Sequence, residues 1–155
     1  MSERATIPYM VGHVHLRVDS LPEAVNFYTS VLGLRVTEEF GHFIFLSWGE
    51  RHHDIALQEV DAAANAPHGD LPGLDHAAFE VLTVEGLVAI YRRLRERDVR
   101  VAPMDHGISK ALYFDDPSGN GLEVYLDTRA ATGRKTWDGK SQPFDPEELP
   151  GVSST

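Results

Sequence analysis

Val11–Val36 reads VGHVHLRVDSLPEAVNFYTSVLGLRV, and Leu74–Val101 reads LDHAAFEVLTVEGLVAIYRRLRERDVRV. The second stretch is a divergent copy of the first. Aligning His13 with His76 brings Tyr28 onto Tyr91, fifteen residues on in each copy, and each copy then reaches a valine, Val36 or Val101. The opening of each copy has period 2, the mark of a half-buried strand. Val14, Leu16 and Val18 share one face, with His13, His15 and Arg17 on the other. In the second copy Ala77, Phe79 and Val81 oppose His76, Ala78 and Glu80. Ser20 and Glu23 then form a capping box, and apolar residues at Ala24, Val25, Phe27, Tyr28, Val31 and Leu32 have helical spacing. Gly33 predicts the stop. The second helix is predicted from about Val84 to Arg97.

Three short strands are predicted after each helix. They lie near Leu34–Glu38, His42–Trp48 and Ile55–Val60 in the first copy, and near Arg100–Pro103, Lys110–Phe114 and Gly121–Leu126 in the second. The last two are joined by DDPSGN, Asp115–Asn120, a run of turn formers. Each half therefore reads β-α-β-β-β. The fold class expected is α+β, with two βαβββ modules pairing into a curved open barrel around a metal cleft. The modules cover 11–60 and 74–128 of one domain at 10–128, joined by the Ala-, Pro- and Gly-rich DAAANAPHGDLPG, and 129–155 is a C-terminal extension, either fastened to the body by Trp137 and Phe144 or disordered.

Composition limits the chemistry. The chain has 155 residues, 42% of them apolar and 25% charged, which is a globular balance. It has no cysteine, so zinc–thiolate sites and thiol catalysis are excluded. The net charge of −10 disfavours nucleic acid and anionic lipid as partners. Arg92, Arg93, Arg95, Arg97 and Arg100 read as a solvated helix face. No apolar run approaches the roughly 18 residues of a membrane span, and MSERATIPYM lacks a signal-peptide core, so a cytoplasmic location is expected.

Glu123 sits in the middle of the apolar strand GNGLEVYLD, where an unpaired carboxylate is costly. Glu123 follows His76 by 47 residues and Gln58 follows His13 by 45, in the matching contexts LEV and LQEV. The repeat thus makes His13, Gln58, His76 and Glu123 equivalent positions on the first and last strands of the two halves. Were the polar faces to line one cleft, His13, His76 and Glu123 would form a two-histidine, one-carboxylate set with an open octahedral face. Gln58, a poorer ligand, is read as a hydrogen-bonding group. His15 is placed beside the ligands as a supporting group. Phe40, Phe43, Phe45 and Trp48 offer either an aromatic wall or core. His42, His52 and His68 have no assigned role.

These residues resemble the vicinal oxygen chelate superfamily, which includes glyoxalase I, bleomycin- and fosfomycin-resistance proteins and extradiol catechol dioxygenases. The resemblance covers roughly Met10 to Thr128 and is strongest to the small, one-domain extradiol enzymes. HGISKALYFDDPSGNGLEVY, His106–Tyr125, resembles their signature, with Tyr113 and Glu123 keeping its ten-residue interval. GHVHLRV and LDHAAFEV are similar to the two strands of metal histidines, and FDPEEL to the family's C-terminal end. HDIAL resembles the segment carrying a catalytic histidine, which maps to His53. The interval from His106 to Tyr113 is shorter than in the two-domain members, and the linker before His76 is longer.

The resemblance implies Fe(II) held by His13, His76 and Glu123, with Mn(II) suited to the same donors. It implies a catecholic substrate, O2 as co-substrate and ring opening to a semialdehyde. It also implies a homodimer or higher homo-oligomer. His53 is the implied acid–base, while Tyr113 and His106 hydrogen-bond one catechol oxygen. The same scaffold also serves glyoxalase-type isomerases, which prefer a fourth metal ligand, and thiol transferases. Other members are metal-free proteins that sequester a ligand. These are the alternative readings.

Overall fold

Ser20 and Thr83 start the two long helices, and they stand at the same place in each copy. The Ser20 hydroxyl accepts from the Glu23 amide at 3.4 Å, and Thr83 Oγ1 accepts from Gly86 N at 3.1 Å. Each cap satisfies an amide that the helix leaves unpaired. The computed structural model describes residues 10–61 and 74–152. Most of the linker, including His68, lies outside the described residues.

The chain divides into two compact units, Met1–Pro67 and His68–Thr155. In the first, β1 (Val14–Val18) leads through α1 (Leu21–Ser30) to β2 (Arg35–Phe40), β3 (Phe43–Ser47) and β4 (Ile55–Glu59). The sheet order is β1-β4-β3-β2, with β1 parallel to β4 and β3 antiparallel to its neighbours. A parallel pair needs a crossover. Here α1 carries the chain to the far edge and the meander returns it to β1. Leu16, Val18, Ala24, Phe27, Tyr28, Leu46, Ile55 and Leu57 are buried, as the period-2 and helical spacings predict.

The second unit repeats this plan with β5 (Ala77–Val81), α2 (Val84–Glu96), β6 (Ala102–Asp105), β7 (Ser109–Asp115) and β8 (Gly121–Asp127). With a short edge strand β9 (Gln142–Pro143), the order is β5-β8-β7-β6-β9, with β5 parallel to β8. Leu87, Val88, Ile90, Leu94, Leu112, Leu122 and Val124 are buried. The architecture is α+β, and both sheets stay open at their edge strands. Among the described residues no helix is long and apolar enough to cross a membrane.

β6 starts two residues later than expected. Asp98 adopts a left-handed conformation (φ 54°), and Val99 N–H reaches back to the Leu94 carbonyl at 3.0 Å. This turn closes at Val99, and Arg100 and Val101, where the strand is predicted to begin, lie between it and β6. Along α2 the arginines are exposed or half-buried, as a solvated face requires. Arg92 makes a forked contact to Glu147, with Nε–Oε1 at 2.9 Å and Nη2–Oε2 at 2.6 Å.

The segment after β8 forms α3 (Arg129–Thr132), β9 (Gln142–Pro143) and a 3-10 turn at Pro146–Glu148. β9 pairs with β6, Met104 facing Pro143 and Asp105 facing Gln142. Lys110 Nζ lies 4.9 Å from the Phe144 ring centre.

The turn between β7 and β8 sets the register of the site. Asp116 is 4% exposed, and its Oδ1 accepts from Ser118 N (2.9 Å) and Asn120 N (2.8 Å). Its Oδ2 accepts from Asn120 Nδ2 at 2.9 Å. Asp116→Ala would strand these amides. It is expected to lower unfolding free energy by about 2 kcal/mol, read from the midpoint of urea unfolding at unchanged slope.

Candidate active site

In the second unit the predicted residues come together. His76 stands just before β5 and Glu123 lies in β8, where Ala78 is its paired neighbour. Parallel pairing of the first and last strands brings the two side chains side by side, with His76 Nε2 2.9 Å from Glu123 Oε2. Glu123 is 9% exposed. On the other side of the ring, His76 Nδ1 is 2.7 Å from Asp75 Oδ2. A carboxylate only accepts, so Nδ1 donates to Asp75 and, in direct contact, Nε2 donates to Glu123.

That arrangement fits a divalent cation. A carboxylate holding the far nitrogen of a histidine is the usual support of a metal-binding imidazole. Two donors at about 2.1 Å from a metal and at right angles to each other are about 3.0 Å apart, close to the separation observed. Asp75 was not anticipated, although its place next to His76 was a readable signal.

The backbone is built for this approach. A methyl group on Gly121 would lie 2.5 Å from the Asp75 carbonyl oxygen and 3.4 Å from His76 Cβ. Gly121→Ala is therefore expected to push the start of β5 off β8 and part His76 from Glu123. A stability loss of about 1–3 kcal/mol should accompany at least about tenfold weaker metal binding in a chelator competition, as loss of support around a ligand usually produces.

Tyr113 faces Glu123 across the antiparallel pair of β7 and β8. Its ring meets His76 edge-on at 5.5 Å. Burial pushes the phenol up to about 12, with the Glu123 and Asp75 charges adding to it. Tyr113 is thus a protonated donor throughout the neutral range. His106 Nε2 lies 3.0 Å from the same hydroxyl, and His106 Nδ1 lies 2.6 Å from Ser141 Oγ. His106 and Tyr113, paired only by resemblance in the sequence, are in direct contact. Nothing local announces Ser141, which is 35 residues further along the chain.

The first unit gathers a histidine group. His13 precedes β1, and its ring centre is 4.5 Å from that of His53. His53 also lies 4.9 Å from the Phe45 ring, and His52 Nδ1 is 2.9 Å from His53 Nδ1. His52 Nε2 in turn meets Glu38 Oε2 at 2.7 Å. Burial lowers the His53 pKa. The His13 and His52 charges lower it further, while Asp54 and Glu38 act against them. His53 is therefore a neutral base at pH 7. Asp54 holds this corner, because its Oδ2 accepts from Ser47 Oγ (2.8 Å) and Trp48 N (2.9 Å) and its carbonyl accepts from Val14 N (3.0 Å).

Of the four aromatic residues singled out, Phe43 and Phe45 stack at 6.4 Å on the histidine-bearing face, with His15 5.9 Å from Phe43. Trp48 instead donates Nε1 to the Leu32 carbonyl at 2.9 Å, and Phe40 is 73% exposed. His13 belongs to the first unit, and His76 and Glu123 to the second. Among the described residues no three His, Asp or Glu side chains are already gathered as a metal cluster.

Strand register corrects one equivalence. Val14 pairs with Ile55 and His15 with Ala56, while Ala77 pairs with Leu122 and Ala78 with Glu123. The counterpart of Glu123 is therefore Ala56, and Gln58 corresponds to Tyr125. Across the next strand Phe45 faces Ala56 as Tyr113 faces Glu123. The carboxylate and phenol of the second unit are thus replaced by a methyl group and a phenyl ring in the first. Gln58 differs from Ala56 by two residues, so both point to the same face, and matching contexts alone could not separate them.

Comparison with known proteins agrees with this architecture. The chain is 32% identical over 139 residues to "Biphenyl-2,3-diol 1,2-dioxygenase 3" of Rhodococcus globerulus, covering 84% of this chain and 70% of that one. It is 30% identical over 129 residues to "Catechol-2,3-dioxygenase" of Bacillus subtilis (strain 168), covering 83% of this chain and 45% of that one. "Glutathione transferase FosA" of Serratia marcescens is 25% identical, with 78% and 83% covered. A solved glyoxylase/bleomycin resistance protein/dioxygenase domain from Frankia sp. EAN1pec matches 78% of this chain and 99% of that one, with a TM-score of 0.63 and 25% identity. The family model matching residues 10–124 spans both units, and the chain belongs to the Glyoxalase/Bleomycin resistance protein/Dioxygenase superfamily.

Proposed function

We propose that this protein is an extradiol ring-cleaving dioxygenase. It takes a catecholic substrate and O2, uses Fe(II) held by His13, His76 and Glu123, and works as a homodimer or higher homo-oligomer in the cytoplasm. Mn(II) suits the same donors. The observation that carries this reading is the pair Glu123–Tyr113 with His106 behind it, set against Ala56–Phe45 in the other unit. A glyoxalase-type isomerase would want a fourth ligand at the Ala56 position, and alanine has no donor atom. A ligand-sequestering protein has no use for a buried carboxylate paired with a carboxylate-supported histidine.

Bound iron would supply a one-electron path between an electron-rich ring and dioxygen, and positive charge favouring an ionised diol oxygen. The side chains do the rest. The Tyr113 hydroxyl donates to one diol oxygen and keeps its proton through the neutral range. His106 Nε2–H supports that hydroxyl from behind. His53, neutral at pH 7, accepts the proton of the diol and returns it as the ring opens. Phe43 and Phe45 offer flat apolar surface for an aromatic substrate.

The names of two relatives suggest the probes, biphenyl-2,3-diol and catechol. Protein reconstituted anaerobically with ferrous iron is given each diol, and oxygen is then admitted. A yellow product with one O2 consumed per diol is the expected result. If neither diol is cleaved, while the same preparation isomerises a thiol hemithioacetal or adds a thiol to an epoxide, the reading fails.

A further inference from the structure

His106 has a hydrogen-bond partner on each ring nitrogen, Tyr113 Oη at 3.0 Å on Nε2 and Ser141 Oγ at 2.6 Å on Nδ1. A neutral imidazole has one N–H and one lone pair, so one hydroxyl donates to the ring and the other accepts from it. With the Tyr113 hydrogen given to a diol oxygen, as proposed above, Nε2–H would donate to Tyr113 and Ser141 would donate to Nδ1.

The C-terminal segment is held so that this serine reaches the ring. β9 pairs antiparallel with β6, Asp105 facing Gln142, and one step further along the ladder His106 meets Ser141. The ladder is pinned nearby. Lys110 forms an ion pair with Asp105 and lies 4.9 Å from the Phe144 ring centre. Trp137 meets the His106 ring edge-on at 6.4 Å, while its Nε1 donates to the Lys140 carbonyl at 2.8 Å and closes the bend that leads to Ser141.

We infer that Ser141 is a positioning residue of the active site, its hydroxyl holding the His106 ring in a single tautomer and so aiming the Tyr113 hydroxyl. Its part in turnover rests on the dioxygenase reading. Its hold on His106 does not. The C-terminal extension is on this view a working part of the site.

The test uses the full chain labelled with 15N-histidine, with His106→Asn to assign the ring signals. Wild type is expected to show one tautomer. Ser141→Ala is expected to show a mixture, and Ser141→Thr, which keeps the hydroxyl, to restore the single form. In the iron-loaded protein Ser141→Ala should lower kcat by about tenfold, in the range seen for groups that orient a working residue, with iron content and KM near wild type. The same single tautomer in Ser141→Ala as in wild type overturns the inference, whatever the activity. So does a Thr variant that behaves like Ala. A tautomer shift in a protein that cleaves no diol leaves Ser141 in place and removes the dioxygenase reading instead.

Discussion

Glu123→Ala is expected to bind less than about a tenth of an iron per chain after ferrous reconstitution, since a complete ligand set is needed for tight binding. Loss of diol cleavage should follow. Glu123 is the one negatively charged ligand proposed, and it sits 9% exposed in an apolar strand beside His76. Without it two neutral imidazoles would face the metal alone. Glu123→Gln separates charge from shape, because the amide keeps a hydrogen-bonding oxygen and loses the charge. It should also lose iron, and a Gln variant with one tightly bound iron per chain would show that Glu123 is no ligand. A second readout needs no metal. The Glu123 charge adds to the effect of burial in raising Tyr113 to about 12. In Glu123→Gln the phenol should titrate lower, yet still above its ordinary value because burial persists. The phenolate absorbance reports this directly.

His53→Ala is expected to keep its iron and to turn over about a hundredfold or more slowly, the usual cost of losing a general acid–base. Metal analysis beside steady-state kinetics checks both halves. Loss of iron in this variant would move His53 into the ligand set and overturn the division of roles. The pH dependence follows from the surroundings of His53. Burial, then the His13 and His52 charges, lower its pKa, and Asp54 and Glu38 oppose them. A cation at His13 would act in the same direction as the His13 charge. The base is thus active down to a pH below the ordinary histidine value of about 6.5, and the acid limb of kcat/KM should fall there. Stability has the matching sign. Between the lowered value and about 6.5 the unfolded chain binds more protons, so this group makes stability rise with pH and fall on acidification. The limb should vanish in His53→Ala.

The sequence revealed the site unevenly. His76, Tyr113, Glu123 and the Asp115–Asn120 turn could be read because each depends on neighbours a few residues away. Period 2 sets the face, and the turn sets which residue of β7 meets which residue of β8. The helix starts at Ser20 and Thr83 were legible for the same reason, since a cap is a contact over three residues. β6 was placed two residues too early, because Arg100 and Val101 span the gap between the left-handed turn at Asp98 and the paired strand.

By itself, then, the chain of residues determined the duplication, the two βαβββ units and the chemical character of the cluster on β7 and β8. Tertiary structure alone decided that Ala56, and not Gln58, answers to Glu123. It also brought Ser141 onto His106, from just before a strand added at the sheet edge. The physical reason is the same in each case. Local periodicity fixes which face a side chain takes, and a slip of two residues preserves that face. The partner opposite is chosen only when distant segments pair, by loop lengths and ladder hydrogen bonds that no short stretch contains.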